Sequence, residues 1–80
     1  MGSYVGIFGM GVMGQSLALN IASKGSSVSV FNRHGEATKK FMDDRVQGHE
    51  ERMRLVSDSY DLKSFCGSLE KPRKIILMVK

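Results

Sequence analysis

At 80 residues the chain has room for one small domain with a thin core, since a polypeptide of this size buries only about 60% of its unfolded surface. An apolar share of 41% beside a charged share of 25% is that of an ordinary globular protein and excludes disordered and fibrous classes. The net charge of +4 is carried by Lys and Arg interleaved with Asp and Glu, with no basic run of the kind that grips a polyanion, so a small anionic ligand suits the chain better than nucleic acid.

Tyr4 to Phe8 is short, β-prone and uncharged, the pattern of a central parallel strand covered on both faces. Gly9-Met10-Gly11-Val12-Met13-Gly14 follows directly, and Val12 to Lys24 is predicted as a helix. On it Met13, Leu17 and Ile21 form a bulky ridge at a spacing of four, and Gly14, Ala18 and Ala22 a small one that lets the axis approach the sheet. Gly25 supplies the C-cap. Ser26 to Asn32, with Val28, Val30 and Phe31, is the second strand, and the helical crossover makes the pair parallel.

Glu36 to Val46 follows as a second helix with Ala37, Phe41 and Val46 inward. The charged, weakly patterned stretch from Gly48 to Arg54 reads as a loop, and Met53 to Ser57 as a short third strand. Asp61 is a helix N-cap, and Leu62, Phe65, Cys66 and Leu69 at i, i+3, i+4 and i+7 give that helix one apolar face. Lys71-Pro72-Arg73-Lys74 ends it, and Ile75 to Val79 is a continuous apolar run suited to a buried parallel strand. The order βαβαβαβ is half of a doubly wound α/β dinucleotide fold, an incomplete Rossmann-type sheet with strand order 3-2-1-4. Residues 1–80 are accordingly expected to be the first part of such a domain and a piece of a longer protein.

Each glycine of Gly-x-Gly-x-x-Gly has a job if a dinucleotide binds. Gly9 permits the tight turn off the strand, Gly11 lets the backbone approach the pyrophosphate, and Gly14 lets the helix pack close. N–H groups at the helix start then face negative charge, reinforced by the helix dipole. The motif alone is weak; between a strand and a helix, with a second strand behind it, it is strong. At the end of the second strand an NAD site places Asp or Glu for the ribose hydroxyls, whereas this chain has Asn32-Arg33-His34. An arginine there makes charge-assisted bonds to a 2′-phosphate and lays its plane on adenine, so NADP is favoured over NAD. His34 either donates to that phosphate or stands as an exposed loop residue.

The single cysteine, Cys66, leaves no internal disulfide, which points to a reducing, cytoplasmic compartment, and its apolar setting marks it as a buried thiol. The uncharged start from Met1 to Ser23 is neither signal peptide nor membrane span, because glycines, Gln15, Ser16 and Asn20 interrupt it.

Gly9-Met10-Gly11-Val12-Met13-Gly14-Gln15, Leu17-Ala18-Leu19-Asn20-Ile21, Val30-Phe31-Asn32-Arg33 and Lys71 to Lys80 together resemble the amino-terminal region of the 6-phosphogluconate dehydrogenases. The glycine pattern by itself is shared with the wider β-hydroxyacid dehydrogenases; Asn32-Arg33 and Lys71-Pro72-Arg73-Lys74 point to the phosphogluconate branch. Three positions depart from the usual family pattern: Gly11 where many members carry Ala, Ser16 for Asn, and His34 for a Thr that helps hold the 2′-phosphate. The resemblance implies NADP-dependent oxidation of 6-phosphogluconate, a phosphorylated sugar acid, and decarboxylation to ribulose 5-phosphate by a full-length homodimer. It implies that Gly9, Met10, Gly11, Val12, Met13 and Gly14 wrap the pyrophosphate, that Asn32, Arg33 and His34 hold the 2′-phosphate, and that Val79 and Lys80 begin the loop toward the nicotinamide. The proton-transferring lysine and glutamate of such proteins lie in later regions, so no catalytic or metal residue is assigned here and the chain alone is expected to be inert. A related dehydrogenase of a smaller acid, and a stand-alone nucleotide-binding module without catalysis, are the competing readings.

Overall fold

The computed structural model describes residues 2–78. Four strands, β1 (Val5–Phe8), β2 (Val28–Phe31), β3 (Val56–Asp58) and β4 (Ile75–Leu77), form one parallel sheet in the order β3-β2-β1-β4. Between them run α1 (Val12–Ser23), α2 (Gly35–Phe41), α3 (Glu50–Leu55) and α4 (Leu62–Gly67), with α2 passing into a π-helical turn over Met42–Val46. Class and strand order are those expected from the sequence.

Alternation along the two central strands sends side chains to two cores. Val5 and Ile7 of β1 and Val28 and Val30 of β2 pack with Ala18, Leu19 and Ala22 of α1 and with Phe41, Val46 and Leu55. On the opposite face Phe31 stacks on Phe65 of α4 with ring centroids 5.4 Å apart, and Phe8 meets Phe31 edge-on at 5.0 Å. Helices thus cover both faces of β1 and β2, and every residue of β2 is buried. The small ridge of α1 does face the sheet, with Gly14, Ala18 and Ala22 buried. Leu17 and Ile21 flank the core, whereas Met13, in the first turn beyond the strand ends, is 73% exposed.

Four expectations need correction. Glu50–Leu55 is a helix rather than a loop: Glu50 and Glu51 open it and Arg52 and Arg54 close it, as the helix dipole favours, and Leu55 anchors it in the core. The third strand therefore begins at Val56 and leaves Met53 exposed on α3. On α4 only part of the predicted face is inward, for Phe65 and Leu69 are buried while Leu62, in the first turn, is 54% exposed and Cys66 is half-buried. Ile75–Leu77 does form a parallel strand beside β1, but its side chains are exposed. It lies at the sheet's edge, and among the described residues nothing packs over it closely enough to bury it. No helix among the described residues is long and apolar enough to cross a membrane.

Asp61 caps α4 as predicted, its carboxylate accepting from the Ser64 N–H at 2.8 Å and the Ser64 hydroxyl at 2.9 Å. These bonds, the backbone one foremost, hold the Asp61 carboxyl below the ordinary carboxylate range. A depressed folded value gives stability that is present above the unfolded value, about pH 4, and is lost as pH falls through the folded one. Asp61→Asn keeps an acceptor without the charge. The stability gap between parent and variant, read as urea midpoints, is expected to hold near neutral pH and to narrow as pH falls through about 4 and below; a gap independent of pH would rule the charge out.

Candidate functional site

The strand ends of β1 and β2 open onto a cavity of about 550 Å³ lined by Phe8, Gly9, Gly11, Asn32, Arg33, His34 and Met78. Its floor is set by the turn after β1. Gly9 has φ of +118°, and a Cβ there would lie 2.6 Å from the Met78 carbonyl oxygen, so conformation and space both require glycine. A Cβ on Gly14 would collide with the Gly9 carbonyl oxygen. Gly11 differs, since among the described residues nothing lies within 4 Å of a Cβ placed on it. Two of the three motif glycines are thus demanded by the fold itself, and the third faces open space of the kind a dinucleotide backbone would fill.

The turn's polar groups are partly committed. Gly9 N–H donates to the Phe31 carbonyl at 2.7 Å and Met10 N–H to Asn32 Oδ1 at 2.9 Å. The Met10 carbonyl accepts from Gln15 Nε2 at 3.0 Å, and the Gly11 carbonyl accepts from Gln15 N–H at 3.0 Å. Among the described residues the N–H groups of Gly11, Val12, Met13 and Gly14 have no partner. These are the orphan donors of the α1 amino terminus, and no acidic residue stands in that first turn. An anion placed there meets aligned donors and the positive end of a twelve-residue helix.

The other wall comes from the residues after β2. Asn32 spans the site, its Oδ1 on Met10 and its Nδ2 donating to the His34 carbonyl at 3.0 Å. Arg33 and His34 are exposed, and among the described residues neither side chain has a hydrogen-bond or ion-pair partner. Among the described residues no carboxylate lines the cavity. Beneath the start of α2, Tyr60 packs on Gly35, where a Cβ would lie 3.2 Å from the ring. Its hydroxyl donates to Asp58 at 2.8 Å; burial first, and then that carboxylate, push the phenol up to about 12.

Of the residues singled out from sequence, Gly9, Gly11, Asn32, Arg33 and His34 converge on this one cavity. Met10 contributes only backbone, for its side chain is buried in the core. Val12 and Met13 turn their side chains into a neighbouring apolar groove shared with Leu17 and Met78, and Gly14 backs the loop from below. Val79 and Lys80 lie outside the described residues. Sequence reasoning missed the lining residues Phe8 and Met78, and it missed Gln15. The signal for Gln15 was its place one helical turn after Gly11, within reach of the loop's carbonyls.

A family model described as the NAD binding domain of 6-phosphogluconate dehydrogenase matches residues 4–80. The chain is 47% identical over 75 residues to the decarboxylating 6-phosphogluconate dehydrogenase of Synechococcus elongatus, covering 94% of the chain and 15% of that relative. It is 46% identical over 76 residues to the NADP(+)-dependent, decarboxylating 6-phosphogluconate dehydrogenase of Bacillus subtilis, covering 95% of the chain and 15% of that protein. With the decarboxylating enzyme of Staphylococcus aureus strain N315 the identity is 45% over all 80 residues, or 16% of that protein. The chain therefore spans about a sixth of the length of these relatives.

Proposed function

The chain belongs to the family of NAD-binding domains of 6-phosphogluconate dehydrogenase, and from that membership we propose that it is the NADP-holding amino-terminal part of an enzyme that oxidises and decarboxylates 6-phosphogluconate to ribulose 5-phosphate. The observation that carries the reading is Arg33, unpaired among the described residues, on a cavity whose described lining holds no carboxylate, opposite the orphan donors of α1. The B. subtilis relative, named NADP(+)-dependent, supports the choice of cofactor.

In this reading the first-turn N–H groups of Gly11 to Gly14 take the pyrophosphate. Arg33 holds the 2′-phosphate and lies against the adenine, and His34 donates beside it. Gly9 and Met10 shape the turn, and Asn32 braces both loops. When bound, the cofactor supplies the hydride acceptor. The work of these residues is to bind and orient it, while the groups that hold the sugar acid and move protons belong to the rest of a cytoplasmic, homodimeric enzyme. Val79 and Lys80 are assigned to the nicotinamide side by the resemblance alone.

Calorimetry of the chain with NADP, NAD and adenosine 2′-monophosphate tests the assignment. NADP is expected to bind about ten-fold tighter than NAD, the scale of one charge-assisted contact. Equal affinity for the two would remove Arg33 from its role, and no binding of either would remove the site.

A further inference from the structure

The conformation of the phosphate-facing turn depends on a residue far from it in sequence. Gln15 Nε2 donates to the Met10 carbonyl at 3.0 Å, and Arg45 Nη1 lies 3.4 Å from Gln15 Oε1. Arg45 belongs to the π-helical turn after α2, whose wider loop is closed by Gln47 N–H on the Met42 carbonyl at 2.7 Å. Arg52 of α3 then donates to the Arg45 carbonyl at 2.7 Å. The contacts run in one direction: α3 holds the π turn, the π turn holds Gln15, and Gln15 holds the loop carbonyl.

Peptide planarity turns this into a statement about the site. In a trans peptide the carbonyl and the following N–H point opposite ways. Fixing the Met10 carbonyl on Gln15 therefore turns the Gly11 N–H away from Gln15, and Gly11 lines the cavity while Gln15 does not. A side-chain amide is free to rotate and to exchange its oxygen and nitrogen; Arg45, donor-only, fixes the oxygen toward itself and so presents the nitrogen to Met10. We propose that Arg45 is a positioning residue for the pyrophosphate subsite, acting through Gln15 to keep the Gly11 N–H aimed at the ligand. The inference rests on the cofactor reading above and adds to it a residue outside the glycine motif, in the π-helical turn after α2.

The test uses the parent chain and the variants Q15A, R45M, R45K and Q15A/R45M. Two ligands are titrated: NADP, which carries the pyrophosphate, and adenosine 2′-monophosphate, which lacks it. Removing one hydrogen-bonded support is expected to weaken NADP about five-fold in Q15A and about three-fold in R45M, with adenosine 2′-monophosphate unchanged in both. Because Arg45 works through Gln15, the double variant is expected to bind NADP no more weakly than Q15A alone. R45K, which keeps a donor on the same stem, is expected to stay within about two-fold of the parent and serves as the folded control should R45M unfold. An R45M variant equal to the parent, equal losses for both ligands, or losses that simply add in the double variant would each overturn the relay. A parent chain that binds neither ligand overturns the cofactor reading and the relay with it, whereas a parent that binds both with R45M unchanged overturns the relay alone.

Discussion

Gly14→Ala is expected to abolish dinucleotide binding and to lower stability by about 3 kcal/mol, the upper part of the range for forcing a methyl group into a packed interior. The added Cβ collides with the Gly9 carbonyl oxygen and lies 3.6 Å from the Met78 Cβ. Neither side yields readily. Gly9 is held at φ of +118° with its N–H on Phe31, and the next peptide is held by Asn32. Relief comes only if the start of α1 lifts off the sheet. That carries the orphan donors of Gly11 to Gly14 out of register with the cavity and loosens Ala18 and Ala22, which share the face. Gly11→Ala is the matched control, with nothing within 4 Å among the described residues, and its stability should stay within about 0.5 kcal/mol of the parent. Urea midpoints and calorimetry with NADP read both outcomes. A Gly14→Ala chain with parental stability and affinity would mean that the turn is far softer than its hydrogen bonds imply.

Arg33→Glu is expected to weaken NADP about a hundred-fold and to leave NAD within about three-fold, so that the preference reverses. The hundred-fold figure corresponds to about 2.7 kcal/mol, within the range for a hydrogen-bonded charged contact replaced by a like charge. Arg33 is exposed and without a partner among the described residues, so the substitution removes no internal bond and folding should be spared. The carboxylate would repel a 2′-phosphate, yet it can accept from the ribose hydroxyls that NAD presents at the same place. Parallel titrations with the two cofactors give the ratio directly. A uniform loss for both would mean that Arg33 supports the loop rather than reading the phosphate.

Much of this site was legible because several local signals agreed on it. The apolar strand, the glycine turn and the small ridge of α1 each demanded the same geometry, and the Asp61 cap marked the start of α4. What sequence could not supply was context. Glu50 to Leu55 places one side chain in the core, too little periodicity to announce a helix against its dense charge. The run Ile75 to Leu77 announces a strand correctly, but whether its faces are covered depends on what packs on it, which the run itself does not encode. Residue type marked Asn32 as a polar group at a strand end; only geometry showed its amide joining Met10 to His34. Arg45 gave no signal, for it meets Gln15 across thirty positions of sequence through a turn of irregular pitch.

Among the described residues β4 is the strand with the most exposed side chains. It pairs Gly6 with Ile75 and Phe8 with Leu77, joining segments far apart in sequence. That contact carries the largest loop-closure entropy in the sheet, and the exposed side chains of Ile75, Ile76 and Leu77 return little burial against it. Among the described residues such an element has the least to hold it, and hydrogen exchange is expected to find its amides opening before those of β1 and β2. Met78, whose N–H bonds the Phe8 carbonyl at 2.8 Å, hangs from its end and forms a wall of the cavity. A β4 that peeled away would take that wall with it, so a ligand filling the pocket is expected to slow exchange at β4 as well, linking occupancy to strand docking.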